Sequence, residues 1–171
     1  MSELVALYDP DDAHGRVTGA APRDLVRRDN LPHAGAVVLV RRPSGEVYVH
    51  RRSADKDVWP GQHDCCAGGV IGAGEHPDDA ARRELAEELG IAGAEPVPLL
   101  RRWFHDESSW YLAFGYTAVW DGEIHFTDGE VAAGWWEQPA ALYRRLADPA
   151  WPFVPDGRQL LELPAVRDLL L

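Results

Sequence analysis

The chain is short of cysteine, of lysine and of long apolar runs, and each shortage narrows what it can be. Its two cysteines, Cys65 and Cys66, are neighbours. Adjacent residues rarely close an unstrained disulfide, so no disulfide framework is expected, and a reducing compartment suits the chain. With His63 and Asp64 the pair mimics a metal cluster, but no second Cys or His pair stands at zinc spacing, which argues against a zinc site. No run of eighteen apolar residues exists, and MSELVALYDPDD is acidic where a secretory leader would be basic and then apolar. The expectation is a soluble cytoplasmic protein that meets no membrane. Positive charge is scarce too: 17 Lys plus Arg face 28 Asp plus Glu, for a formal charge of −11. That balance offers no electrostatic footprint for nucleic acid. Lys56 is the only lysine among sixteen arginines, a bias that reads as genome composition.

What is present is ordinary globular material. The 171 residues are 46% hydrophobic, enough for one sizeable core, and no repeat or low-complexity block divides them, so residues 1–171 are expected to form one domain. Leu4 to Tyr8 reads as a short strand and Pro22 to Asp29 as a helix. HAGAVVLVRR and VYVHRR, separated by the turn PSGE, read as a hairpin pairing Ala34–Arg41 with Glu46–Arg51. His63 to Ile71 is small and apolar enough for one buried strand. A helix is expected from Pro77, which with Asp78 and Asp79 suits a first turn, to Gly90, a suitable cap; Ala81, Leu85 and Leu89 form its apolar stripe. Strands follow at Val97–Phe104, Trp110–Trp120 and Ala133–Trp136, then a helix from Pro139 and an apolar tail that should dock on the core. This order suggests α/β or α+β architecture with helices on the faces of a sheet.

Glu84, Glu87 and Glu88 are spaced by three and four residues, so one helical edge carries three carboxylates. Like charges so placed destabilise a bare helix. A hard divalent cation such as Mg²⁺ or Mn²⁺ reverses the sign, because it takes oxygen ligands and shares them with substrate phosphates. An exposed acidic face is the ordinary alternative. The full pattern is more demanding: Gly69, five residues, Glu75, seven residues, then Arg83-Glu84-Leu85-Ala86-Glu87-Glu88-Leu89-Gly90-Ile91. On average residue usage such a match arises by chance on the order of once in a billion windows.

This pattern, residues 69–91, resembles the signature box of the Nudix hydrolase family at every fixed position. The resemblance implies a Nudix-type α/β/α sandwich with a mixed sheet, a core over about residues 31–147, and cleavage of a nucleoside diphosphate linked to some other group. It implies that Glu84, Glu87, Glu88 and the Gly69 carbonyl bind Mg²⁺ or Mn²⁺, with Glu87 or Glu84 helping to deprotonate water. Glu75 and Arg83 would support the loop, and Gly90 would permit its geometry. The flanking VHRRSADKDVWPGQHDCCAGG resembles a subgroup related to isopentenyl diphosphate isomerase, which raises isomerisation as an alternative. Counting from Trp59-Pro60-Gly61, however, Gly68 falls where that enzyme needs its cysteine, no His-Pro follows, and the box is complete, so hydrolysis is favoured. A ligand sensor without turnover is the third reading. It has no need of every metal ligand.

Weaker signals surround the box. Glu130 is the candidate for a distal-loop glutamate that completes the site or acts as base, with Glu107 as its alternative. Arg51 or Arg52 is a candidate for substrate phosphate. Trp103, Trp110 or Trp151 could stack on a nucleobase, although core packing is the commoner use. His33 resembles a metal-binding histidine of the isomerase relatives, and a structural role is the simpler expectation; the two cysteines are expected to act as small hydrophobes. The partner is expected to be a small diphosphate drawn in by metal cations and not by protein basic residues, with a homodimer possible.

Overall fold

A computed structural model describes residues 3–171. Its framework is one nine-stranded mixed sheet built on β3 (His33–Arg41). This strand pairs in parallel with β8 (Trp110–Val119) along its whole length and antiparallel with β6 (Cys66–Val70). Outside β8 lies β7 (Val97–His105), and β1 (Leu4–Tyr8) joins the start of β3 and carries β2 (Val17–Pro22). Between β2 and β3 runs the short helix α1 (Arg23–Arg28).

The expected hairpin exists only at its turn. β4 (Val47–Arg52) meets β3 at the single pair Arg41 and Val47, then diverges to pair with β9 (Val131–Glu137) and with the two-residue β5 (His63–Asp64). The His63–Ile71 segment is likewise two strands and not one. Asp64 Oδ1 accepts from both Cys65 N (2.7 Å) and Cys66 N (3.0 Å), which turns the chain sharply, so β5 serves β4 while β6 serves β3. A side chain that binds the backbone just beyond itself competes with a continuous ladder. The sheet therefore splays into two wings, and a cleft opens where they part.

Alternation along β3 assigns its faces. Ala34, Ala36, Val38 and Val40 pack with Leu85, Leu89 and Ile91 of the α2 region (α2 is Pro77–Leu89), each of these aliphatic side chains no more than 2% exposed. Leu39 and the β4 residues Val47 and Val49 face the other way, onto Leu142 of α3 (Pro139–Leu146), Leu161 of α4 (Pro155–Glu162) and Val166 of α5 (Pro164–Leu170). The apolar tail thus docks as expected, as two helices. Pro77 opens α2, and Gly90 closes it in the left-handed region at φ 66°, where a glycine avoids the steric cost other residues meet. No helix of the described residues is long and apolar enough to cross a membrane.

Candidate active site

The second half of α2, the Gly68–Gly69 part of β6 and the loop of residues 53–62 meet at the cleft between the wings. Helical periodicity puts Glu84 and Glu88 on the inner side of α2 and Glu87 at its rim: Glu84 is 6% exposed and Glu88 2%, while the Glu87 side chain is half exposed. The edge is therefore not a solvated face. Burial, and then the neighbouring Glu88, push the Glu84 carboxyl up to about 7, against the pull of Arg83. Arg83 organises the rest. Its guanidinium donates to Glu75 Oε1 (2.8 Å) and Oε2 (3.1 Å), to the Val70 carbonyl (3.1 Å), to Glu84 Oε1 (2.5 Å) and to Glu87 Oε2 (3.1 Å). Burial works against the Glu75 charge, yet hydrogen bonds from Arg83 and Gly72 N hold its carboxyl below the usual range. The family resemblance implied that Glu75 and Arg83 support the loop, and here they clamp it onto the helix.

Gly69 has no side chain because the Glu84 carboxylate fills the space: a Cβ there would lie 2.7 Å from Glu84 Cδ. Gly69→Ala is expected to destabilise the protein by about 1–3 kcal/mol through overpacking. The same change made in a Glu84→Ala background should cost far less. Chemical denaturation of the four proteins of that cycle measures the coupling, and additivity would show that the two groups do not compete for space.

Glu88 is held from two sides. Its Oε2 accepts from Gly68 N (3.0 Å) and its Oε1 from the Lys56 ammonium (3.1 Å), and Lys56 also pairs with Glu130 Oε2. Glu130 thus joins the box carboxylates through Lys56, while Ser53 N donates to its carbonyl (2.8 Å). Glu107 is exposed and lines neither cavity. Lys56 escaped sequence reasoning. Its signal was its own rarity: a compact ammonium kept in a chain that otherwise uses the bulkier guanidinium.

Basic side chains do line the cleft, contrary to the expectation from net charge. A cavity of about 330 Å³, open to solvent, is lined by Glu84, Glu87 and Glu130 and also by Arg23, Arg27, Arg52 and Lys56. Arg52 reaches it from the end of β4, donating to the Val58 carbonyl (2.9 Å) and lying 3.5 Å from Asp64. Arg51, one residue earlier, points to the exposed face and lines no cavity, so alternation selects Arg52 of the two. Arg27 of α1 was also missed. The buried Nε atoms of Arg27 and Arg52 have no hydrogen-bond acceptor; Arg27 Nε lies 3.3 Å from Asp57 but out of line.

Arg27, Arg52, Gly68 and Gly69 also border a second, half-open cavity of about 110 Å³, between the sheet and α4. Its walls include Trp59, Phe104, Tyr111 and Leu160, with Asp64 and Asp156 among them. Tyr111 donates to Asp156 Oδ2 at 2.5 Å, and burial together with the nearby Asp64 pushes the Asp156 carboxyl up to about 7. Trp59 is the tryptophan of this pocket. Trp103 and Trp110 pack on each other and Trp151 packs on His63 and Phe153, all outside both cavities. His33 is buried with Nδ1 2.8 Å from the Leu31 carbonyl, and burial lowers it to about 4, so it stands neutral and apart from the glutamates. Both thiols are buried and pushed up, Cys66 strongly, and behave as small hydrophobes.

The chain matches the model of the NUDIX domain over residues 31–157. It is 43% identical over 170 residues to the uncharacterized Nudix hydrolase orf19 of Rhodococcus erythropolis, covering 93% of this chain and 90% of that one. Among solved structures it resembles DR0079 of Deinococcus radiodurans with a TM-score of 0.74 at 24% identity, over 99% of this chain and 100% of that one. It also resembles the NUDIX domain of Shewanella oneidensis NrtR, solved with ADP ribose, with a TM-score of 0.62 at 21% identity and coverage of 83% and 89%.

Proposed function

Because the chain belongs to the Nudix hydrolase family, we propose that it hydrolyses the diphosphate bond of a nucleoside diphosphate linked to another moiety, with Mg²⁺ or Mn²⁺ held by Glu84, Glu87, Glu88 and the Gly69 carbonyl. One observation carries the reading: Glu88 of the helical edge and Glu130 of the distal loop close on one cation, the Lys56 ammonium, while Glu84 and Glu87 of the same edge share Arg83. A donor set made wholly of oxygen suits a hard divalent ion. The Gly69 cradle supports the same fit, since a side chain there would push the Glu84 carboxylate aside. When bound, such an ion lowers the pKa of water and neutralises charge building on phosphate oxygens.

The chain's own groups supply the remainder. Arg83 orients Glu84 and Glu87 while Glu75 holds Arg83. Glu87 or Glu84 takes the proton from the attacking water, and Glu130 from its loop is the further candidate for that base. Arg27 and Arg52, with Nε–H groups lacking acceptors, offer donors to the diphosphate oxygens where the two cavities join. The group beyond the diphosphate enters the cavity walled by Trp59, Phe104 and Tyr111. ADP ribose, the ligand of the NrtR neighbour, exemplifies the class. Isomerisation is disfavoured at Gly68, where a Cβ would lie 3.2 Å from Val37 Cα and closer still to the Ala36 carbonyl; a catalytic cysteine does not fit there.

Turnover of nucleoside diphosphate sugars, dinucleotides, coenzyme A, nucleoside triphosphates and prenyl diphosphates, each with Mg²⁺, Mn²⁺ or EDTA, tests the proposal. Divalent-dependent release of phosphate products from at least one member is expected. Turnover undiminished by EDTA, or migration of a prenyl double bond without phosphate release, would refute it.

A further inference from the structure

Lys56 has a second consequence, which rests on the metal-binding reading above. Glu75, Glu84, Glu87, Glu88 and Glu130 bring five carboxyl groups to this cluster, and among the described residues the cations paired with them are Arg83 and Lys56. Arg83 lies along the outer edge and is committed to Glu75, Glu84 and Glu87. Lys56 is the cation paired with Glu88 and Glu130, and its side chain is 11% exposed. An ammonium and a divalent ion cannot occupy the same few ångströms between Glu88 and Glu130, and the divalent ion brings twice the charge to a cluster that remains short of it.

The loop that carries Lys56 is held in a way that allows release. Over residues 53–57 its backbone bonds are local turn contacts, with Asp55 N donating to Ser53 Oγ (3.2 Å) and Lys56 N to the Ser53 carbonyl (3.4 Å), while the Val58 carbonyl beyond them is held by Arg52 (2.9 Å). Asp57 lies 3.3 Å from Arg27 and 3.6 Å from Arg23, ion pairs too loose to pin it. Trp59 sits at φ 48°, a left-handed conformation that costs a bulky residue on the order of 1 kcal/mol and is tolerated where a segment has more than one use. The least exposed of its side-chain anchors is the ammonium on Glu88 and Glu130. If that anchor is exchanged for a metal ion, the ammonium is freed into the cleft that Arg27 and Arg52 also line.

We propose that Lys56 is a place-holding cation: in the metal-free protein it occupies a divalent-ion seat between Glu88 and Glu130, metal binding expels it, and the released ammonium then engages the diphosphate. Lys56 is thus a substrate-binding residue stored on the metal ligands. Metal occupancy and phosphate binding become linked through one side chain, since a ligand that favours the expelled state favours metal as well.

Titration with Mn²⁺, read as loss of the free-ion electron paramagnetic resonance signal, tests the exchange directly. Lys56→Met should bind Mn²⁺ about tenfold more tightly than the wild type, because no ammonium must leave. Hydrogen exchange in residues 53–62 should rise on adding Mn²⁺ to the wild type, and in Lys56→Met it should be high with or without the ion. Methylenediphosphonate, a probe that resists hydrolysis, should bind Mn²⁺-loaded Lys56→Met several-fold more weakly. Removing the ammonium also leaves acids facing one another, so Lys56→Arg is the companion variant: its larger head fits the seat poorly but still reaches phosphate, so Mn²⁺ affinity should rise while the probe binds as in the wild type. Equal or weaker Mn²⁺ binding in both variants, with Glu87→Gln still reducing it, would overturn the place-holder and leave the hydrolase reading standing. Failure of the wild type to bind Mn²⁺ at all would overturn both.

Discussion

Glu87→Gln is expected to lower kcat/KM on the order of 10³-fold while leaving the melting temperature within about 2 °C of the wild type. The separation follows from position. Glu87 is half exposed, and its one ion pair, with Arg83 four residues earlier at 3.1 Å, is the kind that contributes about 0.3–0.5 kcal/mol. Arg83 keeps Glu75 and Glu84 when it goes. Glutamine preserves the size and helix propensity of the side chain but loses the charge that a divalent ion or a departing proton needs. Glu88→Gln should look different. Both Glu88 oxygens face donors, Gly68 N and the Lys56 ammonium, and an amide turns its NH₂ toward one of them. Lys56 keeps Glu130, but a buried donor left facing the amide NH₂ costs about 1–3 kcal/mol, so this variant should lose stability together with activity. Steady-state kinetics beside thermal unfolding in EDTA discriminates: a fully active Glu87→Gln would remove it from the reaction, and a destabilised one would make its role structural.

The same contrast explains what the sequence made legible. Helix α2 could be read nearly to the residue because each of its signals is local: a proline and acids at the start, an apolar stripe every fourth residue, a glycine at the end, all now seen at Pro77, Leu85 and Gly90. The carboxylate edge came with it, whereas the Glu75 to Arg83 clamp was implied only by the family resemblance. Strand pairing was harder. Residues 34–51 have the alternation and turn of a hairpin, yet β3 prefers the parallel β8, seventy-eight positions along the chain at the pair His33 and Tyr111, and no local pattern encodes that choice. Nor did the apolar run after His63 betray the turn that Asp64 imposes on it. The missed residues share this origin. Arg27, Lys56 and Trp59 reach the cleft because α1 and the 53–62 loop lie where the wings part, a fact of topology. Net charge misled for the same reason: −11 spread over the molecule coexists with five basic side chains lining one cavity, Arg23, Arg27, Arg52, Lys56 and Arg83.

Stability should depend on pH through two opposed groups, and Asp156→Asn should separate them. His33 and His50 are each about 2% exposed and lowered from 6.5 to about 4, in both cases first by burial. Between those values the unfolded chain binds more protons than the folded one, so stability falls as pH drops from about 6.5 toward 4, by roughly 3 kcal/mol per histidine at the end of the range. Asp156 has the opposite sign. Its carboxyl is raised from 3.8 to about 7, first by burial and then by Asp64, so the folded chain holds a proton that the unfolded one has released, and stability falls as pH rises across that window. With both limbs present the wild type should be nearly flat between pH 5 and 7. Asparagine cannot ionise, and its amide can still meet Gly157 N and, after rotation of the hydroxyl, Tyr111, which now bond the two carboxylate oxygens at 2.7 and 2.5 Å. The variant loses the Asp156 limb. Relative to the wild type its stability should therefore grow by about 2 kcal/mol between pH 5 and 8. Glu84, raised to about 7 as well, is common to both proteins and cancels in the difference. Urea unfolding of the two in EDTA at half-unit steps of pH measures it, and a constant offset across the range would mean that Asp156 is ionised throughout, with Tyr111 and Gly157 alone sustaining its charge.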